Sequence, residues 1–126
     1  MKDTQAKSVK QALEGLTFLR DRRPDSTGTD ASFCLLDSYR DGGIYLGHFA
    51  GNSEWERHPR GEEIVHILAG ETTLILLLDG EEQPHALRAG ELLVIPQNTW
   101  HRFVSPGVKV MTVTPQPTDH SVERPA

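Results

Sequence analysis

Trp55-Glu56-Arg57-His58-Pro59-Arg60-Gly61-Glu62-Glu63 is the stretch on which the fold reading turns. In an extended strand, residues two apart share a face. Glu56 and His58 therefore point one way and Arg57 the other. Pro59 and Gly61 turn the chain. Glu63 opens a further strand and shares its face with Val65 and Ile67. If the two strands are neighbours, Glu56, His58 and Glu63 converge inside a closed sheet. Further along comes Gly90-Glu91-Leu92-Leu93-Val94-Ile95-Pro96-Gln97-Asn98-Thr99-Trp100-His101. A strand ends at Pro96, and Asn98 suits a tight turn because Asn tolerates left-handed backbone angles. His101 starts the next strand, on the face of Phe103. A fourth ligand-type side chain thus comes from a distant segment. Imidazole and carboxylate donors in this mixture suit Mn, Fe, Zn, Co or Ni better than Ca or Mg.

Outward from these stretches the chain keeps a regular rhythm. Turn signals stand at Gly42-Gly43, Gly51-Asn52, Arg60-Gly61, Gly70, Asp79-Gly80, Gly90, Pro96-Gln97-Asn98 and Pro106-Gly107. Between them lie short runs rich in Val, Ile, Leu, Phe and Thr: 33–36, 44–49, 64–68, 72–78, 92–95, 101–104 and 108–113. Many short, evenly spaced strands predict an all-β sandwich or barrel. Helix-length periodicity is missing from this region, which argues against alternating βα units. Asp79-Gly80 is a hairpin signal after Thr72–Leu78. That strand is apolar on both faces, so one face should pack in the core and the other against a second subunit.

The ends read differently. In residues 1–30, Val9, Leu13 and Leu16 are spaced for one helical face, with Gly15 placed as a cap. A short helix or arm followed by a polar loop is expected there. The Arg20-Asp21-Arg22-Arg23 cluster, mixed in charge, reads as solvated. Residues 31–115 would form the barrel. Residues 116–126, rich in proline, read as an extended or frayed tail.

The two polar stretches resemble the motifs of the cupins, small double-stranded β-helix (jelly-roll) proteins. The first cupin motif has the form G-x5-H-x-H-x3,4-E-x6-G, and the chain carries Glu56-x-His58-x4-Glu63-x6-Gly70. The second has the form G-x5-P-x-G-x2-H-x3-N, against Gly90-x5-Pro96-x-Asn98-x2-His101-x3-Ser105. Glu56 replaces the family's first metal-binding histidine, Asn98 a glycine and Ser105 an asparagine. Gly51 is one residue closer to the motif than the pattern asks. The resemblance implies a metal held by His58, Glu63 and His101, with Glu56 at the fourth position. Such a site, two histidines and two carboxylates, would cancel a divalent ion's charge. Other roles stay open for Glu56: a solvent-facing carboxylate, one beside the metal site, or a general base. Glu62 is the rival of Glu63, and the gap to Gly70 favours Glu63.

Other residues have plainer readings. Ile64 and Val65 favour a strand, which puts Glu63 and His66 on opposite faces and rules out a helical Glu-x-x-His pair. His48, His66, His85 and His120 have no partner spacing. Cys34 reads as a packed thiol, and a lone cysteine forms no internal disulfide. Trp55, Trp100, Arg57 and Arg102 alternate away from the metal face, so no cation is evident inside the barrel. Phe103, Val65 and Ile67 should line an apolar pocket.

Composition bounds the function. With 126 residues and 37 % hydrophobic content the chain can bury one core. Thirteen basic against 18 acidic residues, net −5, argue against a nucleic-acid partner. No apolar run approaches membrane-span length, and no secretory h-region opens the chain. A cytoplasmic protein is expected. The resulting expectation is a homodimeric, metal-binding cupin acting on a small molecule as an oxygenase, isomerase or lyase, with no catalytic residue assigned. The alternatives are a non-catalytic ligand binder or sensor and a structural module.

Overall fold

The computed structural model describes residues 4–126. It opens with α1 (Val9–Glu14), and nine strands follow: β1 (Leu19–Arg22), β2 (Phe33–Tyr39), β3 (Gly42–Asn52), β4 (Trp55–Arg57), β5 (Glu63–Leu78), β6 (Glu81–Arg88), β7 (Leu92–Ile95), β8 (His101–Pro115) and β9 (Asp119–Ser121). All nine belong to one hydrogen-bonded network. β8 is its hub, pairing antiparallel with β3, β4 and β5. The jelly-roll reading of the sequence is what the structure shows. Among the described residues no helix is long and apolar enough to cross a membrane.

Two expected turns do not reverse the chain. Runs 64–68 and 72–78 are one long strand, and so are 101–104 and 108–113. The turn residues Gly70 and Gly107 lie against each other where β5 and β8 bend together, with register shifts on both sides of Gly70. Gly70 has φ +75°, and a Cβ there would lie 2.1 Å from the Gly107 carbonyl oxygen. Glycine in paired strands thus makes a corner, because the ladder on either side continues. Asp79 and Gly80, both at positive φ, do form the expected hairpin into β6. β6 itself has no apolar signature. It is a polar edge strand whose Pro84 is tolerated because it pairs with β5 alone.

The ends also join the sheet. Helix α1 starts at Val9 because Ser8 caps it, its side-chain oxygen accepting from the Gln11 N–H at 3.1 Å. β1 then pairs parallel with β3. At the C-terminus β9 pairs with β4, so part of the segment read as a frayed tail is a paired strand. Main-chain hydrogen bonds made these pairings, and local composition carries little trace of them.

Inward-facing Phe49, Val65, Ile67, Leu74, Leu76, Ile95, Phe103, Val108 and Val110 form the core. Val65 and Ile67 are wholly enclosed there and do not line the cavity described below. On β5, Thr72, Leu74 and Leu76 face in, while Thr73, Ile75 and Leu77 are half-buried. The more exposed apolar outer face lies on adjoining residues, Ile64 with its cross-strand partner Val94, and Leu92.

Candidate metal centre

Three of the four expected ligands come together. One oxygen or nitrogen each from His58, Glu63 and His101 lies within 4.8 Å of the others, and all three residues are buried. Glu63 Oε1 is 3.3 Å from His58 Nε2 and 3.0 Å from His101 Nε2. The route to this meeting differs from the expected one. β4 pairs with β8 and β9, and no β4–β5 pairing occurs among the described residues. Glu56 stands opposite His101 in the β4–β8 ladder, and Glu63 reaches the same place from β5. The turn at Asn98, φ +59°, is tied down by its N–H donating to the His58 carbonyl at 2.9 Å.

The outer atoms of all three side chains are anchored. His101 Nδ1 lies 2.9 Å from the Thr99 carbonyl, which can only accept. Nδ1 therefore carries the proton, and Nε2 of the neutral ring is a lone pair. The Thr118 hydroxyl donates to Gln116 Oε1 at 3.1 Å, so at 2.9 Å it accepts from His58 Nδ1. His58 Nε2 is then a lone pair as well. Thr114 donates to Glu63 Oε2 at 2.6 Å and is itself 2.8 Å from the Thr112 hydroxyl.

Two imidazole lone pairs and a carboxylate oxygen thus face one another with no donor between them. His58 Nε2 and Glu63 Oε1 are buried atoms without a hydrogen-bond partner. Either a proton or a cation must sit among them. Metal–ligand bonds of about 2.1 Å at right angles would place donor atoms about 3.0 Å apart, close to the observed contacts. The donor set fits a divalent transition ion.

The charges follow from this geometry. Burial alone would raise the pKa of Glu63, but once a facing ring nitrogen of His101 or His58 carries a proton its hydrogen bond and charge overcome burial and bring the carboxyl down to about 2. Burial alone would lower that of His101, but the hydrogen bond and charge of Glu63 hold it above its usual value. Without a metal these groups share a proton as an ion pair.

Glu56 is not brought into this trio. It groups instead with Glu54 and His120, with Glu56 Oε2 3.8 Å and Glu54 Oε1 2.6 Å from His120 Nδ1. It nonetheless lines the same cavity as His58 and Glu63. Burial and, next, repulsion by Glu63 raise its pKa, against the pull of His101, Arg22 and His120. The cavity measures about 240 Å3 and is walled by Phe33, Tyr45, Phe49, Phe103 and Val110. Gln116, Thr118 and His120 line it from the C-terminal segment. His120 thus has a partner that spacing could not show, because the β4–β9 pairing that brings it in is non-local. Arg57 and Arg102 stack over Trp100 and Trp55 and do not line the cavity, as alternation predicts.

Arg22, read as solvated, is the correction: it lines the cavity, its guanidinium carbon 4.8 Å and 4.5 Å from the ring centres of Phe33 and Phe49. The barrel does contain a cation. No periodic signal pointed to it, since β1 is placed by a parallel pairing with β3.

A double-stranded β-helix carrying an inward His-Glu-His group defines the class. The profile of the cupin domain matches residues 48–115, and the chain belongs to the cupin family. It is 31 % identical over 84 residues to the protein SchB of Streptomyces halstedii, covering 67 % of this chain and 52 % of that one. It is 37 % identical over 60 residues to YdbB of Bacillus subtilis, covering 47 % and 50 %. The chain spans about half the length of these curated relatives. Among solved structures, oxalate oxidase in complex with the substrate analogue glycolate is similar at TM-score 0.52 and 25 % identity, over 60 % of this chain and 42 % of that one.

Proposed function

We propose that the protein is a metal-dependent enzyme acting on a small molecule, with His58, Glu63 and His101 holding a divalent Mn, Fe, Zn, Co or Ni ion. The observation that carries this is the convergence of two buried imidazole nitrogens on one carboxylate oxygen, with every outer atom held by Thr99, Thr114 or Thr118. Two histidines and one carboxylate leave open coordination positions. The bound ion would supply Lewis-acid chemistry and, for Fe or Mn, redox chemistry of the oxygenase, isomerase or lyase type. The similarity to oxalate oxidase supports an enzymatic reading without selecting the reaction.

The chain's own residues have separable tasks in this reading. Thr99 and Thr118 hold the imidazoles in the tautomer that presents Nε2, and Thr114 turns Glu63 Oε1 toward them. Phe33, Phe49 and Phe103 exclude water from an apolar-walled cavity. Glu56, with its raised pKa, is positioned to accept a proton from a bound molecule and return it. As a fourth ligand it would instead neutralise the ion.

The test is metal content followed by turnover. The purified protein is stripped with EDTA, reloaded with each ion, and assayed for oxygen uptake and product formation on small carbonyl and phenolic compounds. Stoichiometric binding that His58→Ala and His101→Ala abolish is expected. Failure of every ion to bind would overturn the reading. Binding without turnover would favour the alternative, a non-catalytic ligand binder or sensor. We further infer a homodimer through the outer apolar face around Ile64, Leu92 and Val94.

A further inference from the structure

We propose that Arg22 forms the anion-binding end of the cavity and that the molecule received there is a small carboxylate with an apolar body. This deepens the proposed function and rests on it only for taking the cavity as a ligand site. Arg22 lines the cavity together with His58 and Glu63. Its guanidinium lies against the rings of Phe33 and Phe49. These ring contacts provide no oxygen acceptor, so the guanidinium N–H donors remain for another partner. Among the described residues no carboxylate comes within 4.0 Å of it and no side-chain hydrogen bond engages it. Arginine carries five donors in a rigid fork that matches a carboxylate.

The nearby acids do not take this role. Glu54 is bound to His120 at 2.6 Å, and Glu56 lies 3.8 Å from the same nitrogen. Both influence Arg22 through their charge, at longer range than an ion pair. The position is also built. Arg22 sits opposite Gly51 in the β1–β3 ladder, and a Cβ on Gly51, φ +108°, would lie 2.2 Å from the Arg22 carbonyl oxygen. Glycine at 51 lets the two backbones approach and sets where β1 delivers the guanidinium. The walls are aromatic, and the volume of about 240 Å3 lies just below the roughly 300–1,000 Å3 of pockets for drug-sized ligands. They call for a compact apolar body, with its carboxylate on Arg22 and its far end toward the His-Glu-His group.

The test compares benzoate with its neutral counterpart benzamide by calorimetric titration, on EDTA-stripped and on zinc-loaded full-length protein. Wild type should bind benzoate at least about tenfold more tightly than benzamide, the equivalent of about 1.4 kcal/mol. Arg22→Met should erase that preference, bringing benzoate affinity down to that of benzamide in the same variant. Arg22→Lys, which keeps the charge and loses the fork, should fall between them. Equal binding of the two probes by wild type, or undiminished benzoate binding by both variants, would overturn the proposal. If Arg22→Met does not fold, judged by thermal melting, the wild-type preference and Arg22→Lys decide. An Arg22-dependent preference in a protein that binds no metal would sink the metal reading and leave this one standing.

Discussion

Replacing Thr114 by Val removes one hydroxyl and keeps the branched shape. That hydroxyl donates to Glu63 Oε2 at 2.6 Å inside a buried site, and the variant leaves a carboxylate oxygen without its partner. An unsatisfied buried acceptor costs about 1–3 kcal/mol, toward the upper end when charged. For a chain of this size that corresponds to a fall in melting temperature of roughly 3–5 °C per kcal/mol. The same bond orients Glu63 Oε1 toward His58 and His101, and losing such an orienting contact typically costs about 10–100-fold in metal affinity. Thr112→Val is the control, because Thr112 only donates to Thr114 and leaves the bond to Glu63 in place. Its effect on both measurements should be several-fold smaller. The assays are thermal melting of the stripped proteins and competition titration of zinc against a chromogenic chelator. Zinc binding by Thr114→Val equal to wild type would refute the argument that this hydroxyl orients a ligand.

Glu56→Gln should change zinc affinity by less than about threefold yet lower turnover by about 10²–10⁴, the usual range for a lost general base; a zinc affinity down by tenfold would make Glu56 a ligand. The stripped protein should show opposite pH limbs. Glu63, depressed from 4.5 to about 2, contributes stability that is present above 4.5 and lost as pH falls toward 2, on the order of 3 kcal/mol. His101, raised above 6.5, contributes stability that is present below 6.5 and lost as pH rises past its elevated value. Melting scans across pH check both, and an acid limb unchanged in Glu63→Gln would count against the assignment. Light scattering should give twice the 14.0 kDa chain mass, reduced to a single copy by Leu92→Glu; a wild-type monomer would remove the dimer proposal.

The strand alternation around Glu56 and His58, the turn at Asn98 and the spacing of Glu63 from Gly70 all lie in short stretches of chain. Backbone period and turn chemistry are local properties, so the sequence alone determined the barrel class and three residues that meet. It could not distinguish a turn that reverses the chain from one that bends two paired strands, as at Gly70 and Gly107. That difference depends on whether a partner strand continues alongside. Arg22, Thr114, Thr118 and His120 were likewise decided only by tertiary structure. Each arrives through pairing of β1, β8 or β9 with strands far away in sequence, or through the segment joining them. A parallel edge pairing and a three-residue strand carry almost no hydrophobic signature. What sets them is which main-chain hydrogen bonds remain unmade once the rest of the sheet has closed.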